Sequence, residues 1–309
     1  GCTFQTKVAN ARAAGAAAVI LFNNQPNQPA AGFTPGTATQ IPSVMLGNAD
    51  GLALRSFIQS GGVVSVRVGA VPQVFPAEAN RVAAFSSAGP ASDFVVKPDL
   101  SAPGVNVYSG VQRNFTAGPQ YDASGFGISQ GTSVSSPVVA GAAAIIRQLW
   151  PQFTPAQVKS ALMNTAADTL LPAAGGLTGV MAGGNGVLDL AAAATTSAVL
   201  TPSSISLGAV VPGTAFSRSF QMTVRNAGTA TDTFTFASRA VSGAAELAVR
   251  FNPASLTIAG GASATVSITF DVPAAASGVV EGRIEVRGQS ASRALRVPYW
   301  GNFMVPLVN

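Results

Sequence analysis

Near residue 197 the hydropathy pattern of this 309-residue chain changes its period, and no single layer of secondary structure accommodates both periods. Downstream, apolar and polar residues alternate with period two over Ser204–Leu207, Phe216–Asn226, Thr231–Ala237, Leu256–Ile258, Ala264–Phe270, Gly282–Val286 and Ala294–Tyr299. Turn signals such as Asn226-Ala227-Gly228 and Ala259-Gly260-Gly261 separate these runs at intervals of about 8–12 residues. That spacing predicts an antiparallel β-sandwich over residues 198–309.

Upstream, helical spacing alternates with short apolar runs, the signature of α/β structure. Within residues 1–70, Phe4–Ala18 carries helix formers, Val19–Phe22 and Ile41–Leu46 read as strands, and Val63–Val68 reads as a third. Asn48-Ala49-Asp50 offers caps for a helix over Gly51–Gln59. Within residues 71–197, Val82–Phe85 and Val105–Tyr108 read as strands, and Ser133 or Ser136 begins a helix of small residues that runs to Trp150. Thr154 then caps a further helix with Pro155 in its first position, burying Val158, Ala161, Leu162 and Thr165. There is no convincing internal repeat.

Composition narrows the function. Charged residues are 9% of the chain against about 25% in an average domain, so Ser, Thr, Asn, Gln and Gly must supply the surface. At 48% apolar residues the chain is not a disordered one, yet no apolar run approaches the roughly 18 residues of a membrane span. The net charge of +5 reflects few acids (12) rather than many bases (17), and the bases are scattered, which argues against a nucleic-acid surface. With Cys2 alone, an intrachain disulfide or a thiolate metal site is excluded. Few cysteines and many small polar residues suit a bacterial extracellular protein. The chain holds no histidine, so these residues by themselves complete no Ser-His-Asp triad and no His-ligated zinc site. It starts at Gly1 with neither an initiator Met nor a signal peptide, and is expected to be part of a longer protein.

The chemistry-bearing motif is Gly131-Thr132-Ser133-Val134-Ser135-Ser136-Pro137, followed by Val138-Val139-Ala140-Gly141. It sets a serine at the mouth of an apolar helix, where unpaired N–H groups and the positive dipole end favour a developing oxyanion. A serine in that place is more commonly a helix cap. The α/β-hydrolase elbow Gly-x-Ser-x-Gly fails because Ser135 occupies its fifth position, Ser-x-x-Lys is missing, and Gly125-Phe126-Gly127 is followed by Gln130 where a dinucleotide loop needs glycine.

Gly131-Thr132-Ser133 with Ser136-Pro137 and Ala140-Gly141 resembles the nucleophile segment of the subtilisin-like serine peptidases (peptidase family S8). In the expected order there follow or precede Phe85-Ser86-Ser87-Ala88-Gly89-Pro90, Lys97-Pro98-Asp99-Leu100-Ser101-Ala102-Pro103-Gly104, Thr154-Pro155 to Met163-Asn164-Thr165-Ala166, and Gly184-Asn185-Gly186 with Leu188-Asp189. Together these blocks span about 110 residues. The resemblance implies that Ser133 is the nucleophile, that its N–H donates to the oxyanion beside Thr132 and Gly131, and that Gly125, Phe126, Gly127, Ile128 and Ser129 run along the substrate cleft. Asp99 reads as a residue that orders its loop, and Pro98, Pro103 and Pro137 as backbone restraints. Val138 stands where the family commonly has a non-triad His.

Gly1 to Asn24 and Ile41-Pro42-Ser43-Val44 resemble the protease-associated (PA) domain, which many such peptidases insert between the oxyanion Asn and the Phe-Ser-Ser-x-Gly-Pro block. The resemblance therefore implies a truncated PA domain (1–70), the C-terminal part of a parallel-sheet catalytic domain (71–197), and a fibronectin-III-like or immunoglobulin-like sandwich (198–309). It places the triad Asp, the triad His and the oxyanion Asn before Gly1. It further implies a secreted endopeptidase acting on polypeptides, with protein or cell-wall contacts through the PA and C-terminal domains. No cofactor is identified; the family allows a structural calcium ion, but no acidic cluster locates one. Two classes of function stand: such a peptidase, inactive as these 309 residues alone, or a catalytically dead binding or adhesion protein derived from one.

Overall fold

The computed structural model describes residues 3–28, 30, 41–67, 79–116, 120–170, 179–211, 214–243, 247–291 and 293–304. The chain divides into two compact units, Gly1–Ala77 with Gly104–Gln130, and Glu78–Pro103 with Gly131–Asn309.

In the first unit, α1 (Phe4–Ala13) is capped by Thr3, whose hydroxyl accepts the Thr6 N–H. The helix stops short of the expected Ala18 because Ala14-Gly15 turns the chain. β1 (Val19–Phe22) pairs in parallel with β2 (Ser43–Leu46). α2 (Asn48–Gln59) lies against β1 through Gly51, where a β-carbon would overlap the Phe22 side chain. Its N-cap is Gly47 rather than Asn48-Ala49-Asp50. Asn48 is instead buried, donating to the Asn23 carbonyl at 2.9 Å and accepting the Asn27 N–H, so it ties down the chain leaving β1. Residues 63–67 form no strand, and Val63 is 96% exposed; Val68, like Gly1 and Cys2, lies outside the described residues. β3 (Val107–Gly110) pairs antiparallel with β4 (Phe126–Ser129). β3 begins two residues later than the alternation predicts, after Asn106 takes a left-handed conformation (φ 53°).

In the second unit, residues 82–85 form no strand; the chain turns there, the Ser86 N–H bonding to the Ala83 carbonyl. α3 (Thr132–Leu149) and α4 (Pro155–Asn164) pack together through Ala142 and Ile146 against Val158, Ala161 and Leu162. Phe153 joins this cluster and stacks on Trp150 at 5.1 Å. α4 starts with the Thr154 cap that its sequence predicts, and the structure completes it as a capping box, Thr154 and Gln157 each accepting the other's backbone N–H. Short helices α5 (Val180–Gly183) and α6 (Leu190–Ala194) follow.

The remainder is a β-sandwich. One sheet has the order β10-β8-β12-β13-β6, from Ser255–Ile258, Asp232–Ser242, Gly278–Gly288, Leu295–Phe303 and Ile205–Val210. The other has the order β5-β7-β11-β9, from Ala198–Thr201, Phe216–Asn226, Ser263–Val272 and Ala248–Asn252. All pairings are antiparallel except β13 with β6. Met222, Val224, Val266, Ile268, Phe270, Ile284 and Val297 fill the space between the sheets.

The helices and the sandwich share a buried seam. Trp300 packs against Val96, Val180 and Met181, and Phe94 stacks on it at 6.4 Å. The buried Glu281 carboxylate accepts the Val180 and Met181 N–H groups at 3.1 and 3.0 Å. Ser160 accepts the Leu200 N–H and donates to Asn164, both at 2.7 Å.

Two substitutions separate local from tertiary contributions in urea unfolding of the chain. Thr154→Ala removes one cap and is expected to cost about 1 kcal/mol. Phe270→Ala empties a fully buried site and is expected to cost about 3–5 kcal/mol.

Candidate active site

The backbone at the start of α3 is set by Gly131, which serves as N-cap at φ 138°, a region that L side chains rarely adopt. A β-carbon there would also approach Ser133 Oγ to 3.1 Å. With Gly131 as N-cap and no side-chain cap, the helix begins at Thr132, one residue earlier than the nearer of the expected starts. Ser133 is therefore the second helical residue and not a cap. Its side chain is exposed, and Oγ hydrogen-bonds to no described residue.

The first backbone donors follow from the same geometry. The Val134 and Ser135 N–H groups bond to the Gly131 carbonyl at 3.0 and 3.3 Å. Those of Thr132 and Ser133 have no backbone acceptor among the described residues, so the Ser133 N–H points its partial positive charge beside the Ser133 hydroxyl. Pro137, inside the helix, lacks the N–H that would bond to the Ser133 carbonyl. This turn can thus present a hydroxyl and an adjacent anion donor with neither engaged among the described residues. Thr132 is exposed beside them.

Gly125, Phe126, Gly127, Ile128 and Ser129 lie in the first unit, four of them forming β4. Phe126 and Ile128 face outward, and Tyr108 of β3 stacks on Phe126 at 5.7 Å. Gly127 and Ser129, on the other face, are half-buried.

The body of α3 is exposed along one apolar stripe, Val138, Ile145 and Leu149. Beside it a cavity of about 730 Å³ opens between α3, α4 and the chain at Asp99-Leu100, lined by Val139, Ala143, Val158 and Leu162 and by polar Ser136, Arg147 and Lys159. Asp99 sits at this cavity paired to Lys97 at 2.6 Å and to Lys159 at 2.8 Å. Burial raises its pKa, but the hydrogen bonds and charges of the two lysines outweigh burial and hold the carboxyl below its ordinary value. Asp93 accepts the Val95 N–H in a local turn. Among the described residues no three His, Cys, Asp or Glu side chains converge.

What the sequence did not disclose is the outer support: Glu281 at the start of α5, and Asn185, whose amide reaches the carbonyls of Met163 and Arg296 at 2.7 Å each. An Asn between glycines carries no signal for partners so far along the chain.

Asp99 has a lowered folded-state pKa, so its contribution to stability is present above the unfolded value near 3.9 and is lost as pH falls through the folded value. Asp99→Asn is expected to flatten the stability profile below pH 4 and to lower stability at neutral pH, read by urea unfolding at a series of pH values. An unchanged acid limb would show that the pair contributes nothing.

Residues 5–202 match the subtilase family (Peptidase_S8), and residues 212–300 match an Fn3-like domain. Over 303 residues, 96% of its own length, the chain is 30% identical to the minor extracellular protease Vpr of Bacillus subtilis (strain 168). It is 34% identical over 161 residues, half of its length, to the subtilisin-like protease SBT1.2 of Arabidopsis thaliana, and 32% identical over 174 residues, 53% of its length, to the C5a peptidase of Streptococcus pyogenes. The alignments cover 35%, 20% and 13% of those three proteins. The chain belongs to the subtilase family, and its subtilase portion is followed by an Fn3-like domain.

Proposed function

We propose that the protein carrying this chain is a secreted subtilisin-like serine endopeptidase and that Ser133 is its nucleophile. The observation that carries this reading is the turn at Gly131: an exposed hydroxyl beside an N–H, neither with a partner among the described residues. Ser133 Oγ attacks the scissile carbonyl carbon while its proton passes to an imidazole, and the Ser133 N–H donates to the oxyanion. The imidazolium returns that proton to the leaving amine. Water then attacks the acyl-enzyme, giving up its proton to the imidazole, and Ser133 is regenerated as the peptide acid departs.

This chain has no histidine, so the imidazole comes from outside these 309 residues, and on this reading so do the carboxylate that orients it and a side-chain amide for the oxyanion. Supporting this reading is the apolar stripe Val138, Ile145 and Leu149, a face suited to burial against further chain. Polypeptide substrates and an extracellular location follow from the same reading; one relative is named an extracellular protease. Residues 1–70 are read as a PA domain, 71–197 as catalytic and 198–309 as the sandwich. The missing imidazole is also the observation that favours a second reading, a binding protein descended from a peptidase.

The 309-residue chain alone is expected neither to hydrolyse peptides nor to react with a fluorophosphonate probe. The whole protein is expected to be labelled at Ser133 and to lose at least about 10⁴-fold in kcat as Ser133→Ala. Gly131→Ala is expected to lower kcat by at least about tenfold, since the residue would be held in a strained conformation against Ser133 Oγ. Full activity of Ser133→Ala would overturn the assignment, and a whole protein that neither labels nor hydrolyses would favour the binding reading.

A further inference from the structure

One residue of the sandwich touches several of the pieces that support α3. Arg296, in β13, is nearly buried, its side chain 10% exposed. Its backbone carbonyl accepts two amide N–H groups, from Asn164 at the end of α4 and from Asn185, both at 2.7 Å. Its guanidinium donates to the Ala166 carbonyl and, at 3.2 Å, to the Asn185 carbonyl, and pairs with Asp168 at 3.0 Å. Asn185 passes the connection on, its N–H bonding to the Asp99 carbonyl at 3.1 Å, while Ser101 bonds to Gly186 at 2.8 Å. α4 in turn provides the packing surface for α3.

A guanidinium fork matched to two carbonyls and a carboxylate has a geometry that a point charge cannot reproduce. A residue whose only task was to solubilise the sandwich would not be placed with both its backbone and its side chain in the neighbouring segment. We propose that Arg296 is a positioning residue: it clamps the end of α4 and the chain at Asn185 to the sandwich, and thereby fixes the helix that carries Ser133. Fn3-like and catalytic portions then act as one body, the first setting the geometry of the second. The inference rests on the peptidase reading above for its catalytic consequence alone.

The test uses Arg296→Met, Arg296→Lys and, as a reference, Val266→Ala in the sandwich core. In the whole protein Arg296→Met is expected to lower kcat by about 10²-fold with KM within about twofold, Arg296→Lys to fall between, and Val266→Ala to lower the Tm while leaving kcat unchanged. Hydrogen exchange, which needs no activity, is expected to quicken by about 10²-fold in Arg296→Met at the amides of Ala167, Val187 and Leu188, but not in β7 and β11. Unchanged kcat in Arg296→Met, an equal loss in Val266→Ala, or exchange that quickens uniformly through the sandwich would overturn the clamp. If the unmutated protein has no peptidase activity, it is the peptidase reading that fails, and exchange decides the clamp.

Discussion

A long apolar helix with one face exposed must be held from its other side, and in this chain that hold passes through buried amides. Asn164 and Asn185 are almost completely buried, and the NH₂ group of each donates twice to backbone carbonyls, both reaching that of Arg296. Such bonds add modest net stability, but leaving a buried carbonyl or amide unpaired costs about 1–3 kcal/mol. The seam therefore resists sliding far more than a purely apolar contact would. Apolar packing at Trp300 closes one end of it, and the Ser160, Asn164 and Leu200 bonds close another.

The start of α3 obeys a related logic. Backbone geometry, rather than a side-chain network, makes Ser133 available. Gly131 adopts a conformation that L side chains rarely take and offers no side-chain cap, and Pro137 takes one donor out of the first turns. Nothing in the described residues competes for the hydroxyl. This arrangement leaves a hydroxyl and its nearest N–H open among the described residues, so on the peptidase reading the chemistry depends on where an imidazole is brought.

Local signals were the most legible. Thr154-Pro155 states a helix start in two residues, and the structure follows it. The alternating runs in the second half gave most strands of the sandwich because each has one face in a core and one in water. β5 escaped because Val199 faces the helices while Leu200 faces the sandwich, so both sides are buried and the alternation vanishes. β9 has just two inward residues, Val249 and Phe251. Val82–Phe85 and Val63–Arg67 have strand composition but form no strand, since β-propensity expresses pairing and packing more than the residues themselves. At the candidate site, the motif pointed to Ser133, whereas Gly131's dihedral and the reach of Arg296 depend on contacts that spacing does not encode.

The place of Arg296 in the chain gives the protein a timetable. On the ribosome Ser133 emerges well before β13, and domains tend to fold as they emerge. During that interval the end of α4 and the chain at Asn185 are made but unseated, with their buried-to-be amides and carbonyls in water. Only when the last strands of the sandwich have closed is there a seat for them. The helix that carries Ser133 thus gains its support from a strand made long after it, so its final seating waits on the sandwich rather than on its own sequence.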